Sequence, residues 1–241
     1  MSVKTVNLDG LGPVHLHKRR GVKAIRLSIS RTGEIRLSLP FWSSYASAMA
    51  FATDHIQWIT DHRPKNITFA AGARIGRRHR LVYQSSANST IKTRLDSPDI
   101  IIKLPRGTDL ETPAVQKIVD NVCIRALKAE AKLDLPGRLA ELAQKYGFTY
   151  GAVSIKRLTG RWGSCDSKQN ITLNCYLQQL PDNLVSYVLL HELVHTRLMA
   201  HGKPFWDELK RYDPQVMLHR TQIKQHQPVL RPTIVSSELV Y

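Results

Sequence analysis

The stretch VLLHELVHTRLMAHGKPFW, residues 188–206, sets three histidines and a glutamate into an apolar pattern with helical spacing. His191 and His195 are four residues apart, so on an α-helix their side chains lie on one face, one turn apart. Two imidazoles in this arrangement can hold one metal ion, and Glu192 can reach a water molecule on that ion. The sequence therefore predicts a metal-binding helix with a general base beside it.

A third ligand is expected a short distance further along the chain. A catalytic zinc site has three protein ligands and keeps its fourth position open. His201 follows His195 by six residues, and Pro204 can begin a new helix after the intervening turn. We expect His191, His195 and His201 to bind Zn²⁺. Glu192 is expected to act as general base and acid on a zinc-bound water.

The competing interpretation is that HExxH occurs by chance on a buried helix, whose histidines are merely hydrogen-bonded in the core. Burying two histidines and a glutamate without a metal costs several kcal/mol of desolvation unless each finds a partner. The position of His201 favours the metal site over this alternative.

Composition indicates a folded, basic protein. The chain has 241 residues, 42% of them hydrophobic, and a formal net charge of +16 from 35 Lys and Arg against 19 Asp and Glu. A basic surface attracts nucleic acid, nucleotides or acidic proteins, or it is simply a solvated face that aids solubility. No recognised nucleic-acid-binding motif is present in the sequence.

Location and oxidation state are inferred from the absence of signals in the sequence. The first residues lack the apolar segment of a secretory signal, and no apolar run is long enough to cross a membrane. The three cysteines form no CxxC pair. We therefore expect a cytoplasmic protein with reduced thiols and no membrane partner, while the sequence gives no indication of the oligomeric state.

The order of the patterns predicts an α+β fold with a strand-rich N-terminal unit containing one helix, followed by a small zincin-like domain of helices and strands. The predicted units are residues 1–106, residues 107–225 with the HExxH helix, and a tail over residues 226–241. The elements predicted in the first unit are a β-hairpin over 24–39, a helix over 43–62, and strands over 80–84, 90–95 and 100–104.

Helices dominate the predicted second unit. A helical stripe begins at Val115, a break is expected at Pro136-Gly137, and a further helix should end at Gly147. Strands are predicted over 153–158 and 171–174, and the HExxH helix should run from Pro181 to about Met199.

An ordered set of short motifs surrounds this helix. They are RWGSC (161–165), ITLN (171–174), LP (180–181), HELVH (191–195) and HGKPFW (201–206). The set resembles the YgjP-like metallopeptidase-domain family, related to the SprT-like and Wss1-like zincins, and the resemblance covers about residues 15–215. It implies a small α+β zincin domain in which His191, His195 and His201 bind zinc and Glu192 is the catalytic acid and base.

The RWGSC segment has two possible roles. Arg161 and Ser164 can contact substrate, for example an oxyanion or a phosphate, or they can hydrogen-bond backbone near the zinc helix while Trp162 packs in the core. Tyr187, one turn before His191, can face the same cleft or the core. Cys165 as a fourth zinc ligand would close the site and block catalysis.

Three functions are consistent with these patterns. The favoured one is a zinc-dependent peptidase that acts on peptides or proteins. The second is a metal-dependent phosphohydrolase of nucleoside triphosphates, with Arg161 and the basic N-terminal unit binding phosphates. The third is a non-catalytic DNA- or protein-binding module whose zinc is structural.

Overall fold

The computed structural model describes residues 3–8, 10–29, 34–62 and 69–233. The chain divides into two compact units, Met1–Ile67 and Thr68–Tyr241. Each unit combines helices with a β-sheet, so the predicted α+β class is confirmed. The division lies well before the predicted one at residues 106/107, and the packing of the second unit gives the reason.

The first unit contains a four-stranded sheet in the order β1-β2-β4-β3. Its strands are β1 (Val3–Leu8), β2 (Gly12–Arg19), β3 (Arg26–Ile29) and β4 (Ile35–Pro40). Strands β3 and β4 are antiparallel, as expected of the predicted hairpin, whose turn lies outside the described residues. Strands β1 and β2 were not predicted.

Two helices cover the region predicted as one. They are α1 (Tyr45–Asp54) and α2 (Ile56–His62), separated at His55. Ser44 caps the N-terminus of α1, and its side chain accepts a hydrogen bond from the Ser47 backbone N–H. The break lets Ala52 and Ile59 both enter the core of this unit.

The second unit begins with a sheet in the order β5-β6-β8-β7. Its strands are β5 (Arg74–Ile75), β6 (His79–Ser86), β7 (Lys92–Asp96) and β8 (Asp99–Pro105). Buried residues of this sheet, among them Leu81 and Ile102, share one apolar core with the long helix that follows. These strands therefore belong to the second unit, because their apolar face is covered there.

That helix, α3 (Pro113–Tyr146), is continuous through Pro136, where a break was predicted. Proline inside a helix costs about 3 kcal/mol. The burial of a stripe on both sides of it outweighs that cost; its residues are Leu127, Ala131, Leu135, Leu139 and Ala143. The helix ends at Gly147, as predicted, with the left-handed φ of 68° that glycine adopts most readily.

The remaining elements form the part of the fold that carries the histidines. A three-stranded sheet in the order β10-β11-β9 is followed by a 3-10 helix and three α-helices. They are β9 (Val153–Lys156), β10 (Gly163–Cys165), β11 (Ile171–Asn174), the 3-10 helix Cys175–Gln179, α4 (Asp182–His195), α5 (Lys203–Tyr212) and α6 (Val216–Ile223). Helix α6 was not predicted. Across the described ranges, no helix has both the length and the apolar character needed to span a bilayer.

Candidate metal centre and active site

Helix α4 carries two of the three candidate ligands and is buried on nearly every side. Ten of its fourteen residues are buried, which explains its apolar sequence. The helix ends at His195, short of the predicted Met199, and the Thr196 hydroxyl donates to the Leu193 carbonyl at this end. The early end frees residues 196–202 to form the turn that returns His201 to the helix.

The three imidazoles meet at their Nε2 atoms. Nε2 of His195 lies 3.2 Å from Nε2 of His191 and 3.0 Å from that of His201, and the third separation is also 3.0 Å. Three ring nitrogens cannot all be paired by hydrogen bonds in such a triangle, because a donating nitrogen has no lone pair left to accept. At least one of the three contacts would bring two lone pairs or two N–H groups against each other, and a cation shared by three lone pairs removes this conflict.

These distances fit a zinc ion. Zinc–imidazole bonds of about 2.0–2.1 Å at tetrahedral angles place ligand nitrogens about 3.4 Å apart. The observed triangle is slightly tighter than this, and among the described residues no fourth His, Cys, Asp or Glu joins the three imidazoles. In the described part of the chain, His191, His195 and His201 are the group of side chains positioned to hold an ion together.

Neighbouring groups fix the orientation of each ring. Nδ1 of His195 lies 3.1 Å from the Leu198 carbonyl, which makes it the N–H donor and leaves Nε2 with its lone pair. The Trp206 indole donates to the His201 carbonyl at 3.0 Å and stacks on its ring. The fully buried Phe205 ring lies 4.6–4.8 Å from all three imidazoles. Helix α5 therefore holds the third candidate ligand, His201, in place.

Burial favours the neutral form of two of the candidate ligands, His191 and His195. Desolvation, followed by the proximity of His195 and His201, lowers the pKa of His191 to about 3. Desolvation is also the largest cause of the lowered pKa of His195. Nδ1 of His191 is buried without a hydrogen-bond partner among the described residues, so Nε2 provides the polar contacts of this ring. Neutral imidazoles are the form that binds metals.

Glu192 is the other buried polar group of α4. Its side chain is buried, and Oε2 has no hydrogen-bond partner in the described ranges. Desolvation raises the pKa of this carboxyl to about 8, and the positive charge of Arg161 opposes that rise. A buried carboxyl without a partner destabilises the fold, so its presence points to a functional role.

Gly163 makes room for this carboxyl, a role the sequence analysis did not identify. A Cβ atom at Gly163 would lie 2.7 Å from Oε1 and 2.8 Å from Cδ of Glu192. Real Cβ atoms do not approach other atoms so closely. The glycine of RWGSC therefore sets where the glutamate side chain can lie.

Asn174 ties the RWGSC segment to the sheet. Its side chain is fully buried and donates to the Leu158 carbonyl at 3.0 Å and the Arg161 carbonyl at 2.8 Å. Its Oδ1 accepts from the Tyr176 backbone N–H at 3.2 Å, and its own backbone N–H donates to the Trp162 carbonyl at 2.9 Å. The asparagine of ITLN thereby ties the loop before β10 to the end of β11 and to the 3-10 helix.

Replacing Asn174 by alanine should lower the free energy of unfolding by about 3 kcal/mol, because two carbonyls and one N–H lose buried partners. A loss of that size corresponds to a fall in Tm of about 6–12 °C for a protein of this length. Differential scanning calorimetry measures the shift. The control is Asn183→Ala, at an exposed position of α4, which should leave the Tm unchanged. Equal Tm values for the two variants would contradict the role of Asn174.

The cleft beside the histidines contains the predicted substrate residues. It has a volume of about 490 Å³. Arg161, Ser164 and Tyr187 all line it, together with Met199 of the turn and Ile223 of the unpredicted helix α6. Arg161 is exposed and makes no hydrogen bond or ion pair with the described residues, so the alternative role of bonding backbone near α4 is not observed for it. Tyr187 is mostly buried in the core, and burial raises its pKa to about 12.

Cys165 lines the same cleft but stands apart from the histidine triangle. Its thiol donates to the Asp166 carbonyl over 3.6 Å. Burial, with Glu192 and Asp166 adding to it, raises the pKa of the thiol to about 11. The thiol is therefore protonated at neutral pH, which disfavours its binding a metal.

We accordingly expect Cys165→Ala to retain the metal content of the wild-type protein. Inductively coupled plasma mass spectrometry of the purified protein provides the measurement, with His201→Ala as the variant that should lose metal. Metal loss in the Cys165 variant comparable to that in the His201 variant would show that the thiol is a ligand after all.

The α+β fold brings three histidines together at a candidate site for a single metal ion. Residues 23–226 match the family model described as YgjP-like, metallopeptidase domain, and the chain belongs to this family.

The crystal structure of the metallopeptidase zymogen of Methanocaldococcus jannaschii jannalysin is similar to part of the chain. The identity is 23%, the similarity covers 38% of this chain and 95% of that one, and the TM-score is 0.35. The comparison with curated proteins gives no match.

Proposed function

We propose that this protein is a zinc-dependent peptidase in which His191, His195 and His201 hold the metal and Glu192 transfers protons. The observation that carries the proposal is the triangle of Nε2 atoms, 3.0–3.2 Å apart, next to a buried carboxyl without a partner. Membership of a metallopeptidase-domain family supports it.

Zinc is the metal that this donor set favours. Three imidazoles with an open fourth position are typical of catalytic zinc, whereas structural zinc has four protein ligands. No fourth protein ligand accompanies the histidines in the described ranges. This also argues against a non-catalytic module with structural zinc.

The proposed chemistry is the hydrolysis of an amide bond. Bound zinc would supply Lewis acidity toward the scissile carbonyl and toward water. Glu192 takes the proton of the attacking water and returns it to the leaving amine, and both transfers use one carboxyl. A general base and acid works best when its pKa is near the operating pH, and burial raises that of Glu192 to about 8.

An edge strand beside the cleft offers a place for an extended peptide. Strand β10 lies at one edge of its sheet, and its residues Gly163, Ser164 and Cys165 all line the cleft. An edge strand has unpaired backbone groups that can bind a peptide by β-strand addition. We propose that Ser164 and Tyr187 contact the substrate and that Arg161 binds one of its carboxylates or the developing oxyanion.

A nucleoside triphosphate is a poorer match to this cleft. Among the described lining residues, Arg161 is the one lysine or arginine, and a single guanidinium is few for three phosphate groups. The larger number of apolar and neutral lining residues favours peptide side chains.

The proposal is tested by metal analysis and by parallel hydrolysis assays on unfolded casein, a quenched peptide library and nucleoside triphosphates. We expect about one zinc per chain, cleavage of casein or peptides, and no release of phosphate. Protein that holds no metal after expression with zinc would overturn the proposal. Hydrolysis of triphosphates without cleavage of peptides would replace it with the phosphohydrolase function.

A further inference from the structure

One end of the sheet in the first unit gathers cations and exposed aromatic rings. Strands β2 and β4 are parallel, with Lys18 opposite Leu39 and Arg19 opposite Pro40, so both strands finish at the same end of the sheet. Arg20 follows the first strand there. We call this region the basic-aromatic end; its residues are Lys18, Arg19, Arg20, Arg26, Phe41 and Trp42.

The outer strands add to the same charge. Antiparallel pairing places Arg26, at the start of β3, opposite Ser38. It likewise places Lys4, at the start of β1, opposite Leu16. Glu34 precedes β4 and so lies at the opposite end of the sheet. The charges of the first unit are thus separated along its strands, with the cations at the end where the aromatic rings stand.

These cations are not neutralised within the described part of the unit. None of Lys18, Arg19, Arg20 and Arg26 forms an ion pair with a described residue. No acidic residue occurs anywhere between positions 10 and 33 of the sequence, and residues 1–67 hold ten Lys and Arg against four Asp and Glu, a net charge of +6. Burial is the largest cause of the lowered pKa of His17, and the positive charges of Arg19 and Arg36 add to it.

Two large rings stand exposed beside the cations. Phe41 is 61% exposed and Trp42 is 79% exposed, although both are residues that folding normally buries. The Arg20 guanidinium lies 5.7 Å from the centroid of the Phe41 ring. Exposed rings interleaved with arginines form a surface on which flat, negatively charged molecules can stack.

We propose that the basic-aromatic end binds single-stranded nucleic acid. The cations contact the phosphate backbone, and Trp42 and Phe41 stack on unpaired bases, which is the combination used by proteins that bind single strands without sequence preference. An anionic membrane would need a broader apolar face than two rings provide. An acidic peptide would use the cations but leave the rings without a stacking partner. This surface belongs to the first unit, and the inference is independent of the proposed zinc chemistry.

The test measures binding of the full-length protein to a fluorescein-labelled oligo-dT of about 16 nucleotides by fluorescence anisotropy across a salt series. Trp42→Ala should weaken binding by about 5- to 160-fold, the loss expected for one stacked base, whereas Trp42→Phe should retain most of it. Arg19→Ala with Arg20→Ala should reduce the salt slope by about 1.4, since each phosphate contact on a single strand contributes about 0.7.

The matched charge control is Lys92→Ala with Lys103→Ala, an exposed pair on neighbouring strands of the second unit. It removes the same charge and should leave both affinity and slope unchanged. Equal losses in this control, or an affinity that does not respond to Trp42→Ala, would overturn the proposal. Tighter binding to vesicles of phosphatidylserine and phosphatidylcholine than to oligo-dT would overturn it in favour of a membrane surface.

Oligonucleotide binding can be measured separately from zinc binding and peptide hydrolysis. Trp42→Ala should retain wild-type metal content and melting temperature, because the side chain is 79% exposed and its removal leaves no cavity in the core. Glu192→Gln should bind oligo-dT like the wild-type protein. Loss of oligonucleotide binding in the Glu192 variant would contradict the independence of the two sites.

Discussion

Glu192→Gln should lower the turnover number for peptide hydrolysis by roughly 10²- to 10⁴-fold, the contribution of a general acid and base. The amide has nearly the same shape as the carboxyl but cannot take a proton from water. The variant should bind zinc with unchanged stoichiometry, since the histidine triangle does not include this side chain. Steady-state kinetics on a peptide that the wild-type protein cleaves measures the turnover number, and KM should change little.

The same variant should also change how stability depends on pH in the metal-free protein. Burial raises the pKa of Glu192 from an ordinary value of 4.5 to about 8, so between these values the folded state holds a proton that the unfolded state has released. The free energy of unfolding of the wild-type protein therefore decreases as pH rises through this window. The glutamine variant should lose this part of the decrease, as measured by urea unfolding at several pH values.

These two measurements distinguish a catalytic carboxyl from a structural one. A turnover number equal to that of the wild-type protein would exclude Glu192 as the proton-transfer group. Loss of zinc together with activity would indicate instead that the carboxyl helps to build the metal site.

Gly163→Ala should reduce turnover by about 10²-fold, because a shift of about 1 Å in a catalytic group is enough to cause such a loss. The added methyl would stand 2.7–2.8 Å from the Glu192 carboxyl, so the carboxyl must move. Zinc content should stay at the wild-type level. The kinetics of peptide cleavage and metal analysis of the same preparation provide both readouts.

Gly202→Ala is the matched control, since this glycine also lies beside a residue of the candidate site, His201. Its nearest contact for an added methyl is Pro204 Cδ at 3.5 Å, an ordinary van der Waals distance, and its φ of −75° is open to any residue. Activity should therefore persist. If Gly163→Ala were as active as Gly202→Ala, the close approach to Glu192 would have no catalytic consequence.

Helix α4 and its two candidate ligands could be predicted because the pattern that identifies them lies within one short stretch of sequence. A spacing of four residues places His191 and His195 on one face of a helix whatever surrounds that helix. Pro204 likewise indicates where α5 starts. The roles of Gly163 and Asn174 were not predictable, because each depends on an atom from a different element: the carboxyl of α4 for one, two loop carbonyls for the other. Nothing in RWGSC or ITLN by itself specifies those contacts.

Local rules also failed where packing outweighs them. Pro136 predicted a helix break, but burial on both sides of it keeps α3 continuous. The polar joint after Pro105 suggested a unit boundary, whereas the strands before it share their core with α3. In each case the stabilising free energy comes from burying apolar surface against residues that are distant in the sequence. A local pattern does not contain those residues.

The sequence alone determined the candidate ligands, the candidate base, the α+β class and the family resemblance, because each depends on residue type and spacing along one chain. Only the tertiary structure decided that three Nε2 atoms meet within 3.2 Å, that Glu192 lies without a partner against Gly163, and where the units divide. The tertiary structure also decided the basic-aromatic end, because the register of the strands brings its residues to one end of the sheet. The physical reason is that desolvation and close contact depend on which distant segments meet, and the chain specifies that only through its folded core.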